Sequence, residues 1–197
     1  MMKSQTEVIK HYDSIAVEYD DTYSSDEYVK ENKVLGKLLS AVVKYYNPTS
    51  IYDIGCGTGL LLDLVNVGEA RYNGIDPSAK MLAVAAKKHP GYYFRQGFLM
   101  DYSTSPYSSL YFALYGVGDY LSKEELQSLT NRRSFVMCSA PGYSQKTTGD
   151  PIDQKQLDLV CQLFDQQVVF NGKYLIATSN LNITRWLSTN STWKKLP

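Results

Sequence analysis

The sequence predicts an α/β protein: a mostly parallel sheet of about seven strands covered by helices, with an antiparallel C-terminal hairpin. Three observations predict it. Short β-rich runs alternate with helical periodicity from residue 50 to residue 140. A glycine-rich turn, "GCGTG" at 55–59, follows straight on the first of those runs. Further on, "QQVVFNGKYLIATS" (166–179) carries Asn171-Gly172 between two β-rich stretches, the pattern of a tight hairpin. Alternating strands and helices imply parallel strands joined by right-handed crossovers. The hairpin then adds an antiparallel edge.

Each element has its own signal. Residues 5–20, "QTEVIKHYDSIAVEYD", place Val8, Ile9, Tyr12, Ile15, Ala16 and Tyr19 at helical spacing. A long amphipathic helix follows. Ser25 is its candidate N-cap, Leu35, Leu38, Leu39, Val42, Val43 and Tyr46 form its apolar stripe, and Asn47-Pro48 stops it. Ser50–Ile54 reads as a short buried strand, 58–66 as a helix and Tyr72–Ile75 as a second strand. "PSAKMLAVAAKK" (77–88) is a helix ending before His89-Pro90, and Tyr92–Gln96 is a third strand. The polar run "DYSTSPYSS" (101–109) reads as a loop or a single turn. Leu110–Leu114 is a fourth strand, and Ser122 with Glu125 has capping-box spacing at the head of another helix. Ser134–Cys138 is a fifth strand, Pro151–Phe164 a helix, and Ile183–Leu187 a last candidate strand. No linker interrupts the pattern, so 1–197 is expected to be one domain. Its parts are N-terminal helices (1–46), a core (50–140), and a C-terminal helix with the hairpin (151–197).

Composition narrows the function classes. Apolar residues make up 44% and charged residues 20%, ordinary for a soluble protein. Basic and acidic residues balance at zero net charge, which gives no strong nucleic-acid signal, because duplex affinity rests on neutralising phosphates. Cys56, Cys138 and Cys161 are widely spaced and the two histidines lie apart, so neither a disulfide framework nor a metal site is expected. No long apolar run or signal peptide is seen, so no membrane contact and a reducing, cytoplasmic setting are expected. The 17 tyrosines suit half-wet surfaces, and a homodimer is one use of them.

The glycine turn carries the chemistry. In an open α/β sheet, ligands bind beyond the carboxyl ends of the strands. Gly55, Gly57 and Gly59, with Cys56 among them, let the chain turn sharply and bring a ligand against bare backbone. The spacing fits neither the dinucleotide pattern G-x-G-x-x-G nor a P-loop, which needs Lys after its last glycine. Asp53 stands two residues before the first glycine, where a carboxylate would repel a pyrophosphate but suits a cationic amine. Asp76 closes the second strand, where a carboxylate can accept hydrogen bonds from ribose hydroxyls. Together they describe a pocket for a nucleoside with a positively charged tail. For each aspartate the alternative is structural, a cap or a loop-ordering group.

These residues resemble the class I S-adenosylmethionine-dependent methyltransferases, especially those acting on small molecules. The resemblance covers roughly residues 8–140. It rests on "YDSIAVEYD" (12–20), "YDIGCGTG" (52–59), "GIDPSAKML" (74–82) and "GDYLSKEEL" (118–126). It implies a Rossmann-like three-layer sandwich, S-adenosylmethionine as cofactor, S-adenosylhomocysteine as product, and N-terminal helices (1–46) that form a lid. It also implies roles. Asp53 lies near the methionine amine, and Gly55, Cys56, Gly57 and Gly59 line the methionine and ribose. Asp76 holds the ribose, Pro77 and Met81 pack near the adenine, and Tyr19 covers the cofactor. Met81 has a core reading of equal standing.

Two places depart from the family pattern. The acid that usually follows the glycine after strand three is replaced by Phe98, and Asp101 arrives late. Backbone groups of Phe98 and Leu99 then become the candidates for the adenine. No acid precedes strand four, whose exit, Tyr115–Tyr120, should face the transferred methyl. Asp119, Tyr120 and His11 are the candidate catalytic groups. Asp119 could instead cap the helix after Ser122. The signatures of DNA amino-methyltransferases, cytosine-C5 enzymes and protein arginine methyltransferases are missing, which leaves a small-molecule acceptor. Its pocket would lie near Tyr115 and Tyr143, with "PGYSQKTTGD" (141–150) as a surface loop or lid. The alternative is a protein that binds the cofactor or its product without catalysis and regulates a partner.

Overall fold

Glycine conformation sets where the first crossover begins. In the computed structural model, β1 (Ser50–Ile54) runs into Gly55, Gly57 and Gly59, all at positive φ (61°, 53° and 90°). Gly59 is the N-cap of α4 (Leu60–Leu64), so this helix starts two residues later than its periodicity suggests. The structure describes residues 4–102, 108–139, 154–183 and 193–195.

The chain forms two compact units that divide between Ser109 and Leu110. The first opens with α1 (Gln5–Ile15), α2 (Tyr19–Thr22) and α3 (Asp26–Tyr46). The predicted single helix over 5–20 is therefore broken at residues 16–18. Tertiary bonds to Asp20, described below, override the local periodicity. Ser4 caps α1 through a reciprocal box with Glu7. Ser25 holds the N-cap position of α3 in extended backbone, yet its side chain makes no cap bond. Leu35, Leu39 and Val42 are fully buried, which is the stripe read from the sequence.

β2 (Arg71–Asp76) and β3 (Tyr93–Gln96) complete this unit's strands, in the order β3-β2-β1 and all parallel. The register pairs Ile51 with Tyr72 and Asp53 with Gly74. Ser78 caps α5 (Ala79–Lys88) by accepting from the Met81 N–H at 3.1 Å. A single 3-10 turn, Leu99–Asp101, starts the polar stretch after β3.

The second unit holds β4 (Ser109–Ala113) from Leu110 onward, a 3-10 turn (Val117–Asp119), α6 (Lys123–Thr130), β5 (Arg133–Ser139) and α7 (Gln154–Leu163). It continues with β6 (Gln166–Phe170), β7 (Tyr174–Ser179) and β8 (Trp193–Lys195). Its strand order is β4-β5-β7-β6-β8. β4 and β5 are parallel, and β7, β6 and β8 follow antiparallel. Asn171 and Gly172 both sit at positive φ, and Lys173 N–H closes the turn on Phe170 C=O, as Asn-Gly predicts. Ser122 and Glu125 form the expected capping box. Phe112 and Phe135 pack together, fully buried, with ring centroids 6.0 Å apart. The fold is Rossmann-like, mostly parallel with antiparallel C-terminal strands, as the sequence predicts. Residues 184–187 of the last candidate strand lie outside the described residues.

Candidate functional site

In the first unit, the carboxyl ends of β1, β2 and β3 bring Asp53, the glycine turn, Asp76, Pro77 and the Phe98–Leu99 turn to one end of three neighbouring strands. Asp76 ties two of the turns together. Its Oδ2 accepts from Gly57 N–H at 2.9 Å, and its Oδ1 accepts from Ser78 N–H at 2.8 Å. Asp76 is 8% exposed. Burial pushes its carboxyl up from the ordinary value, the two backbone donors pull it down, and Asp13 adds a further upward push. A carboxylate has about four lone-pair sites, so each oxygen keeps acceptor capacity for a hydroxyl. A Cβ placed on Gly57 would meet nothing within 4 Å, so the loop borders open space there.

Asp53 lies deeper, at 2% exposure, and its Oδ2 accepts from the Tyr72 hydroxyl at 2.7 Å. The parallel register explains the pair. Tyr72 stands opposite Ile51, and Asp53 is two residues on, so both side chains leave the same face. Burial pushes Asp53 up to about 7, against the lowering effect of Tyr72 and with a smaller push from Asp76. Cys56 and Tyr72 are raised mainly by burial as well, and neither ionises near neutral pH.

Met81 is 1% exposed and fills the core beneath the turn, in line with its core reading. Phe98 N–H is taken by Asp101 Oδ2 at 2.7 Å, which closes the 3-10 turn. The late acid thus orders this turn and occupies the Phe98 donor that the sequence offered for the adenine. Tyr102 hydroxyl, on Gln96 C=O, and the Gln96 amide, on Pro77 C=O at 3.2 Å, brace the same corner.

The N-terminal helices reach these turns through residues that sequence reasoning missed. Asp13 Oδ1 accepts from Ser78 Oγ at 2.6 Å and Lys80 N–H at 3.3 Å. Asp20 accepts from Thr58 Oγ1 at 2.5 Å and from Lys88 Nζ at 2.7 Å. Lys88 also pairs with Asp63 at 2.7 Å. Burial works against the Lys88 charge, but Asp20 and Asp63 outweigh it and push its pKa up. Tyr19, next to Asp20, is half-buried in a row of rings: Tyr12 lies 6.1 Å away and Tyr23 4.7 Å. His11 is exposed on α1, edge-on to Tyr12. Ser78 had a signal, its N-cap position before a helical run. Asp13, Thr58 and Lys88 had none.

Gly59 shows how tightly the turn is fixed. At φ 90°, a Cβ would stand 2.8 Å from His89 Cδ2. Gly59→Ala is expected to cost about 1–3 kcal/mol, a fall in Tm of about 3–10 °C. Adding His89→Ala should relieve the clash and leave the backbone strain. Scanning calorimetry of the single and double variants reads both parts, and an unshifted Tm would contradict this account of the turn.

In the second unit, Asp119 does not cap α6, since Ser122 does. Asp119 accepts instead from the end of β5: Ser139 N–H at 3.0 Å and Ser139 Oγ at 2.6 Å. The turn after β4 brings it there, and the Gln156 amide fixes that turn through Gly118 and Leu121 C=O. Burial pushes Asp119 up to about 6, and the Ser139 bonds oppose this. Tyr115 has a positive φ of 43° and sets its ring edge-on to Tyr174 at 5.1 Å. Tyr120 is exposed. Tyr143 and the 141–150 loop lie outside the described residues. No group of three or more His, Cys, Asp or Glu among the described residues is placed to hold a metal ion. No helix among them is long and apolar enough to cross a membrane.

This fold, with its glycine turn and a carboxylate at the end of β2, is the fold of the class I methyltransferases, which the chain resembles. Residues 51–134 match the family model described as "Methyltransferase domain". A curated relative, trans-aconitate 2-methyltransferase of Pseudomonas paraeruginosa (strain DSM 24068 / PA7), is 45% identical over 47 residues. That match takes in 23% of this chain and only 17% of the relative's length. Among solved structures, magnesium protoporphyrin IX methyltransferase (ChlM) of Synechocystis PCC 6803, with bound SAM, superposes with a TM-score of 0.61. The two are 17% identical, over 91% of this chain and 99% of that one. A TehB-like SAM-dependent methyltransferase of Corynebacterium glutamicum ATCC 13032 Kitasato gives 0.54 at 14% identity, over 85% and 96%.

Proposed function

We propose that this single domain is an S-adenosylmethionine-dependent methyltransferase acting on a small-molecule acceptor. The observation that carries the reading is Asp76: one buried carboxylate that joins the glycine turn to the head of α5 and keeps acceptor capacity for ribose hydroxyls. Asp53 suits the amine of the same ligand, since a cation beside a buried carboxyl raised to about 7 restores its charge. Pro77 and the Phe98–Leu99 turn would border the adenine, and Tyr19 would cover the cofactor.

When bound, S-adenosylmethionine supplies an electrophilic methyl group on a sulfonium, and S-adenosylhomocysteine is left. The protein's contribution is alignment and exclusion of water. A neutral acceptor with a free lone pair needs no base. For a hydroxyl acceptor, Asp119 is the best-suited group in its unit, because burial holds it near 6, where it can take up a proton at neutral pH. Tyr115 and Tyr120 flank that turn, while the exposed His11 is a poorer candidate.

We place the protein in the reducing cytoplasm, which suits its three free thiols. Exposed Tyr45, Tyr92 and Tyr93 are the residues a homodimer would use. The non-catalytic alternative has no observation in its favour.

Calorimetric titration with S-adenosylmethionine and with S-adenosylhomocysteine tests the reading. One micromolar site for each is expected, followed by S-adenosylhomocysteine release when small amines and hydroxy compounds are screened as acceptors. Heat from neither ligand would overturn it.

A further inference from the structure

The first two helices, α1 and α2, carry two carboxylates that reach back to the turns described above, one to each. Asp13 bonds Ser78 Oγ at 2.6 Å, and Ser78 N–H bonds Asp76 at 2.8 Å, so Asp13 stands one residue removed from the carboxylate assigned to the ribose. Asp20 bonds Thr58 Oγ1, and Thr58 sits between Gly57 and Gly59 at 2% exposure. The other oxygen of Asp20 takes Lys88, which bridges to Asp63 of α4. The second grip is wetter than the first: the Lys88 and Asp20 side chains are 28% and 44% exposed. Charge pairs with that exposure are weakened by salt, whereas the buried bonds of Asp76 are screened much less.

We propose that Asp13 and Asp20 are positioning residues. They pin residues 13–20 as a strap across the ribose turn and the glycine turn, and release of the Asp20–Lys88 grip sets how fast the cofactor leaves. The inference rests on the reading that these two turns bind S-adenosylmethionine. It adds that residence is governed from outside the pocket and depends on ionic strength. The strap shapes the turns through Ser78 and Thr58, and neither aspartate is assigned a contact with the ligand.

The test uses the full chain and S-adenosylhomocysteine, with dissociation rates read by surface plasmon resonance at about 50 mM and about 500 mM salt. Wild type should release the ligand about three- to fivefold faster at the higher salt. Asp20→Asn and Lys88→Met should be fast at both, and Lys88→Arg should restore the wild-type rate and its salt response. Asp13→Asn should weaken affinity by about fivefold at both salts and keep the wild-type salt response, because the Asp20–Lys88 grip is intact. Lys88→Met keeps the test available should Asp20→Asn not fold. If wild type binds and every variant releases the ligand at the wild-type rate at both salts, while Tm alone falls, the grips are merely structural and the proposal is overturned. If wild type binds no ligand, the reading of the turns fails first and this inference falls with it.

Discussion

Replacing Asp53 with asparagine is expected to stabilise the ligand-free protein near neutral pH. The side chain is 2% exposed and its carboxyl is raised to about 7, mainly by burial. A carboxyl with a raised pKa favours the folded state fully below its unfolded value of 3.8. That contribution is lost as pH rises through about 7. Holding the charged form in place near pH 8 costs about 4 kcal/mol. Asparagine removes the charge and keeps an oxygen for the Tyr72 hydroxyl. Its advantage should therefore be about 4 kcal/mol near pH 8, or about 10 °C in Tm, and shrink to about 1 kcal/mol near pH 4.5. Asp119, raised to about 6, slopes the same way in wild type and in the variant, so it cancels in the comparison. Calorimetric melts of both proteins across this range decide the matter. A Tm difference independent of pH would mean that Asp53 is not the titrating group. On the proposed function the same variant should lose affinity for S-adenosylmethionine, because it cannot become an anion beside the amine. Stability would then have been given up for binding at this position.

The second large effect is expected at Asp76. Asp76→Ala removes the acceptor for Gly57 N–H and Ser78 N–H and for the ribose hydroxyls of the proposed ligand. A buried charge-assisted hydrogen bond is worth about 1.5–3 kcal/mol, so affinity for S-adenosylmethionine should fall about 10- to 150-fold. Asp76→Asn keeps one acceptor oxygen and should fall between the two. Titration calorimetry of the three proteins gives the order. Equal affinities for wild type and Asp76→Ala would remove the ribose assignment. Melting the ligand-free proteins alongside separates loss of the ligand bond from loosening of the turns.

The features legible in the sequence were those with local causes. Three glycines marked the turn after β1 because only positive φ lets the chain double back there. Asn171-Gly172 marked the hairpin, and Ser122 with Glu125 marked the head of α6, for equally local reasons. Asp76 was legible because the end of a parallel strand is a fixed place in this kind of sheet. The missed contacts join distant positions. Ser78 reaches Asp13 across 65 residues, and Lys88 reaches Asp20 across 68. The break after Ile15 was missed for the same cause, since bonds from Thr58 and Lys88 to Asp20 outweigh an apolar spacing that favours a continuous helix. Tyr72 could have been found: once β1 and β2 are taken as parallel, alternation of faces sets it beside Asp53. Asp119 fell to Ser139 rather than to α6 because Ser122 already satisfies that helix end.

The short β8 bears on how the protein behaves when concentrated. Among the described residues it is the outermost strand of the second unit, beside β6. An open strand edge offers unpaired N–H and C=O groups to any other extended chain, and long flat edges template aggregates. Here the edge is three residues long, and two of those, Lys194 and Lys195, are lysines. A second molecule approaching along that edge would meet little backbone to bond. Val168, Val169 and Phe170 of β6 thus lie one strand in from that short edge.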